Sequence, residues 1–247
     1  MKKESRTKMS ATRRQYFIMF GIRIVFFVVC AWLFFFRPEE FDIIKPGGFF
    51  KRFSILHVLW LIWIVDMLLQ LLPVRHIVPL GSQKHMSICF KEIKDKINYK
   101  SLKEYVSSTT RAAYRVLILW VLLLSVIGAL YFTGVIDHKW LFMISAAFYV
   151  CDLVCVLIWC PFRLIVGTRC CTTCRIYNWD HMMMFTPMMF IISGYCSSLL
   201  LLALAIFAVW EACVMIYPER FWEKSNAALK CSECTDKLCT QYCKKLR

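Results

Sequence analysis

Five long apolar blocks constrain this chain more than any other feature. Residues 16–36 read YFIMFGIRIVFFVVCAWLFFF, 53–73 contain ILHVLWLIWIVDMLLQLL, 114–134 contain VLILWVLLLSVIGALYF, 140–160 read WLFMISAAFYVCDLVCVLIWC, and the last runs from about 183 to 216. A helix needs about 20 apolar residues to cross the hydrocarbon of a bilayer. Five such blocks in a chain that is 60% hydrophobic predict an all-α, polytopic membrane protein. The expected spans are 16–36, 53–73, 114–134, 140–160 and 183–210, within a transmembrane domain 1–217 followed by a Cys-rich tail 218–247. The fifth block is read as one crossing continued by an interfacial helix, too short for two crossings and a turn. The basic N-terminus resembles a signal peptide, but the apolar block after it is too long and no small-residue cleavage site follows, so it reads as an uncleaved first span.

The formal charge of +15 lies almost wholly between the blocks. No aromatic-basic RNA motif, P-loop or GxGxxG accompanies it, so a nucleic-acid partner is not predicted. Lys and Arg instead hold loops at the cytoplasmic face, against anionic lipid. Counted by loop, 17 lie on the N-terminal side of a five-span arrangement and 12 on the other, which predicts a cytoplasmic N-terminus. Five spans then put the tail outside, against the pull of its own seven Lys and Arg. The stretch 84–106 has apolar residues at Met86, Phe90, Ile93 and Ile97 with Lys on the other face, and reads as amphipathic helix on the inner leaflet. Pro38, Pro46, Gly47 and Gly48 mark the first connection as irregular.

Arg23, Asp66 and Asp152 fall within spans, where ionisable groups are costly unless paired or hydrated. Each lies seven or eight residues from the inner end of its helix. At 1.5 Å per residue that is roughly 10–12 Å deep for all three, so they form one layer. Two readings fit: an ion pair that fixes helix packing, or a proton or ion relay. Asp152 shares a helical stripe with Cys151, Cys155 and Trp159 that leads to Cys160.

Cysteine carries the chemistry. Cys160, Cys170, Cys171 and Cys174 lie in CPFRLIVGTRCCTTC, where the fourth span meets a short basic loop. Cys171 and Cys174 form a CxxC, a spacing that brings two sulfurs to one metal. Arg163, Arg169 and Arg175 surround the group, and positive charge favours thiolate. Cys231, Cys234, Cys239 and Cys243 form a second compact set in the tail. Thirteen residues cannot build a core, so a crosslink must hold them: a metal if inside, two disulfides if outside. The expected cofactor is an iron–sulfur cluster or Zn2+. In NWDH, Asn178, Trp179, Asp180 and His181 read as an interfacial anchor and N-cap, or with Asp180 and His181 as outer-shell partners of the thiolates. The neighbouring methionines are ordinary apolar filler.

RCCTTCRIYNWDH resembles a motif of bacterial integral membrane proteins of unassigned function, through Cys160, Pro161, Cys170, Cys171, Cys174, Asn178, Trp179 and Asp180, with Cys231, Cys234 and Cys239 matching their tail. The resemblance covers roughly residues 160–243. It implies a bacterial plasma membrane location and carries no activity with it. A fainter similarity, through Cys155 and Cys160-Pro161, is to membrane ferredoxins of the quinol-oxidising type, whose CxxCxxCxxxCP runs this chain lacks. The function expected is metal binding through cysteine in membrane redox or electron transfer, with a redox or membrane protein partner. The alternatives are a small transporter using the charged layer, or a membrane scaffold with structural zinc. No hydrolytic constellation is visible, and whether the protein is an enzyme stays open.

Overall fold

The computed structural model describes residues 10–74, 78–93, 97–168, 170–234, 236 and 238. They form an all-helical bundle of α1 (Ala11–Phe36), α2 (Ile55–Leu71), α3 (Leu80–Gln83), α4 (Tyr99–Phe132), α5 (His138–Leu157), α6 (Phe162–Val166), α7 (Asp180–Phe185) and α8 (Gly194–Ile216). Four of these, α1, α4, α5 and α8, are long and apolar enough to cross a membrane, and α2 is a shorter apolar helix of 17 residues.

Each of these five helices starts on a polar cap that satisfies free backbone N–H groups. Ser10 accepts from Arg13, Ser54 from Leu56, Asn98 from Lys100 and Ser101, Asp137 from Lys139 and Trp140, and Ser193 from Cys196. These caps set the starts, so α4 begins at 99 rather than 114. At 34 residues it reaches on the order of 51 Å, well beyond a hydrocarbon core of about 30 Å.

The last apolar block differs most from expectation. The helix of the final crossing starts at Gly194, not 183. Before it, α7 gives way to a 3₁₀ segment, Thr186–Phe190, because Pro187 offers no N–H to continue the helix. This broken stretch runs through the bundle. Asp180 meets Gln70 near the end of α2, Thr186 accepts from Trp120 on α4, and Phe190 packs on Tyr131 and Phe132 at the far end of α4. Gly128 permits that approach, since a Cβ there would lie 2.7 Å from the Phe190 ring. One α-turn and a half plus a 3₁₀ segment and three extended residues cover on the order of 25 Å. Helix α8 then returns, from Tyr195 bonded to Leu56 at the start of α2 to Trp210 bonded to Arg175. Within the described residues the chain therefore passes along the bundle six times, five as helix and once as the broken segment 180–193. Two passes fit in the block because one is built partly from 3₁₀ and extended backbone, which rises more per residue than α-helix.

The even number of passes brings the start of α1 to the described part of the tail. Ser10 donates to the Asp236 carbonyl, and the Asp236 carboxylate accepts from Leu80 N–H. The described residues 84–93 after α3 are not amphipathic helix. They hold a 3₁₀ turn at Ser87–Cys89 and then pair with the tail at Glu92 and Asn226, with Ala227 N–H bonded to Lys91 and Ile93 N–H to Ser225. Backbone pairing across 130 residues overrides the local helical pattern. The described part of the tail, expected as a separate unit, packs along this loop with Phe221 and Trp222 buried. At the opposite end the first connection is a 3₁₀ turn, Pro38–Ile44, whose Phe41, Ile43 and Ile44 plug the bundle.

Candidate functional site

The motif Cys171–His181 ties together the end of the bundle where Ser10 meets Asp236. The Lys84 ammonium, fully buried, donates to the carbonyls of Thr172 and Cys174 at 3.0 and 2.6 Å and lies over the rings of Trp210 and Phe221. Arg175 pairs in two places with Glu211 of α8, both at 2.6 Å, and Trp179 Nε1 donates to the same carboxylate. The Asn178 amide donates to Ser82, and the hydroxyls of Tyr177 and Tyr16 meet at 3.3 Å. Trp179 is buried, so it is no headgroup anchor, and Asp180 opens α7 without capping it. The motif is a hub that joins α1, α3, α7 and α8.

Beneath the hub, Arg23, Asp66 and Asp152 come together in one layer. Arg23 donates to Asp152 at 2.7 Å, to Asp66 at 3.1 Å and to the Tyr149 carbonyl at 2.8 Å, with its guanidinium 3.9 Å from the Tyr149 ring. His181 adds to this layer rather than to the thiols. Its ring nitrogens lie 3.2 Å from Asp180 and 3.6 Å from Asp66, and Gln70 reaches both Asp180 and His181. Three carboxyl groups thus face one guanidinium and one imidazole. Even with the imidazole positive, the formal sum is negative.

Asp152 and Asp180 also line an apolar cavity of about 260 Å³ with Trp120, Phe148, Met183 and Met184. Cys151, Cys155, Cys160, Cys171 and Cys174 open into it, all as thiols. Cys155 sits in the last turn of α5 and Cys160 beyond its end, and both line the cavity. Cys170 does not line the cavity. Cys231 and Cys234 lie in the tail away from it, and Cys239 and Cys243 fall outside the described residues. Among the described residues, no three His, Cys, Asp or Glu side chains converge in a way that could hold a metal ion.

The thiols differ in character. The neighbouring Cys155 thiol pulls the Cys160 pKa down to about 7 against the effect of burial, helped by the N–H groups of Arg163 and Phe162. Burial pushes Cys171 and Cys174 up, with the Lys84 ammonium partly offsetting this for Cys174. The arginines activate the group less than expected, with Arg163 only weakly opposing the effect of burial on Cys171. Arg175 is spent on Glu211, Arg163 Nε donates to the Thr168 carbonyl, and Arg169 lies outside the described residues. Burial also lowers Lys84, to about 7. Labelling by iodoacetamide should therefore single out Cys160. Its rate should rise through pH 6–8 with a midpoint near 7, since thiolate forms as pH climbs through the lowered pKa, while Cys171 and Cys174 stay slow. Equal labelling of all three at pH 7, read by peptide mass, would contradict this order.

Lys84, Gln70, Tyr16 and Glu211 were not singled out by sequence. Glu211 could have been, as an acid near the end of an apolar helix with an unpaired Arg175 in the neighbouring loop. Lys84 could not, because it sits in a run that looks like a solvated lysine face.

The fold and site define an all-helical chain with four helices suited to crossing a membrane, holding a buried charged layer beside a cysteine-lined cavity. No protein-family model, curated protein or solved structure matches it.

Proposed function

We propose that this chain is a multi-pass membrane protein that carries out thiol–disulfide chemistry in the cavity at one end of its bundle. The observation that carries this reading is the convergence of Cys155, Cys160, Cys171 and Cys174 on one cavity. Cys160 is the attacking thiolate. It displaces one thiolate from a partner disulfide and forms a mixed disulfide. The Cys155 sulfur then displaces the second, leaving Cys155–Cys160 oxidised and the partner as two thiols. The two protons lost from the cysteines end on the released thiols, and Asp152 and Asp180 line the route between. The CxxC of Cys171 and Cys174, across the cavity, is the next dithiol in line.

The test is redox equilibration of anaerobically purified, reduced protein in glutathione buffers, with disulfides mapped by peptide mass. A Cys155–Cys160 bridge should form as one two-electron transition. It should vanish in Cys155→Ser and in Cys160→Ser and persist in Cys151→Ser. Stoichiometric zinc, or brown protein with iron–sulfur absorption, on Cys160, Cys170, Cys171 and Cys174 would replace this reading with the metal one.

Six passes support a cytoplasmic position for the N-terminus, the tail and the motif end together. That end carries 24 Lys and Arg against five at the other, so the tail's charge no longer conflicts with the rest. The cytosol keeps thiols reduced, which suits an exchange centre better than permanent bridges. In intact cells, a membrane-impermeant maleimide should label Lys51→Cys at once and Cys231 only after permeabilisation. Labelling of Cys231 from outside would overturn the shared side.

A further inference from the structure

The thiol cavity lies largely at membrane depth. Trp120 of α4 and Phe148, Cys151 and Cys155 of α5 line it, and both helices are long and apolar enough to cross. Asp152 sits roughly 10–12 Å below the inner surface, and Cys151 beside it is exposed. An exposed side chain at that level of a crossing helix meets lipid, so the cavity opens sideways into the hydrocarbon. We infer that a lipid-soluble quinone seats its ring in this cavity through that opening and accepts electrons from the Cys155–Cys160 dithiol, an assignment that rests on the thiol reading above.

Three features of the cavity select this ligand. The first is polarity. Its wall is mostly ring carbon, methionine and thiol, with Asp152 and Asp180 at the polar edge. A charged oxidant from water, such as glutathione disulfide, would shed its hydration there with few partners in return. Such oxidants reach the pair only at Cys160, next to the exposed Pro161 at the loop end. The second is size. The volume of about 260 Å³ is close to the lower end of small-molecule sites, about 300 Å³. It takes a single substituted ring and leaves an alkyl tail outside in lipid. Trp120 and Phe148, whose ring centroids lie 5.0 Å apart, supply aromatic surface for a flat ring. The third is the chemistry of the wall. A dithiol gives up two electrons together, and quinones are two-electron acceptors that diffuse in the bilayer.

The step balances. The Cys160 thiolate and the Cys155 thiol form one S–S bond and release two electrons and one proton. The quinone takes the two electrons, that proton and a second proton from solvent, and leaves as quinol. The exchange described above then runs in the opposite sense: the Cys155–Cys160 disulfide oxidises a partner dithiol and returns to thiols.

The test uses the full chain, reduced and purified without oxygen in detergent, with decylubiquinone as the probe. Its ring carbons are all substituted, so it does not add thiols. Quinol and the Cys155–Cys160 bridge should form in equal amounts, read by absorbance and peptide mass. Cys151→Trp fills the lipid-side opening and should slow oxidation by decylubiquinone several-fold relative to oxidation by glutathione disulfide. In Cys160→Ser, where the bridge cannot form, decylubiquinone should still shield Cys151 from N-ethylmaleimide, saturably, while a ringless alkane does not. If Cys151→Trp does not fold, the shielding measurement decides. A bridge with glutathione disulfide but none with decylubiquinone, or equal shielding by the alkane, overturns the quinone assignment and leaves the thiol reading standing. No bridge with either oxidant overturns both.

Discussion

Replacing Arg23 with Met is expected to destabilise the bundle by about 3–5 kcal/mol, the usual cost of removing one partner from a buried ion pair. The guanidinium is 5% exposed and serves three acceptors on two helices: Asp66 on α2, Asp152 and the Tyr149 carbonyl on α5. Without it, Asp66 and Asp152 lose their guanidinium partner, and α1 loses its polar tie to both helices. Between apolar helices in lipid there is little hydrophobic drive to compensate, so packing and such bonds hold the bundle. The triple variant Arg23→Met, Asp66→Asn, Asp152→Asn should recover most of the loss, because it removes the charges as well as their partner. Thermal unfolding of the purified variants in detergent reads both. A single variant as stable as the parent would show that water already solvates the layer.

Glu211→Gln should be nearly as damaging, by about 2–4 kcal/mol, and its effect should be visible at the thiols. Glu211 accepts two bonds from Arg175, itself 5% exposed, and one from Trp179. The amide is neutral and has one acceptor oxygen where the carboxylate has two. Arg175 is then a buried cation without its anion, one residue after the CxxC. The loop should loosen from α8, and alkylation of Cys174 should rise at least tenfold while that of Cys160 changes little. Quantitative mass spectrometry of labelled peptides reads the split. Unchanged Cys174 labelling would mean that the Lys84 bonds to Thr172 and Cys174 hold the loop without Glu211.

Depth in a membrane helix depends on sequence number alone, at 1.5 Å per residue. That is why the common level of Arg23, Asp66 and Asp152 is legible before any packing is known. The fourth charge partner is not legible in the same way. His181 lies beyond a loop, in a segment whose path depends on Pro187 and on the Ser193-Gly194 start of α8. Both signals are present in the chain, but an unbroken apolar run conceals them. Cys155 shows a similar limit. Its place on a stripe with Asp152 is plain, yet its convergence with Cys160 on one cavity depends on how the chain turns after Leu157.

Apolar block length, helix caps and the placing of charge within helices are local properties, and they made the helical membrane architecture and the buried charged layer readable from residue order. The number of passes, the meeting of the start of α1 with the tail, the burial of Lys84 and the gathering of thiols around one cavity arise between residues 5 to more than 200 apart. Their energies come from particular partners meeting in space, such as Lys84 with the Thr172 and Cys174 carbonyls or Asp236 with Ser10, and no local pattern encodes those meetings.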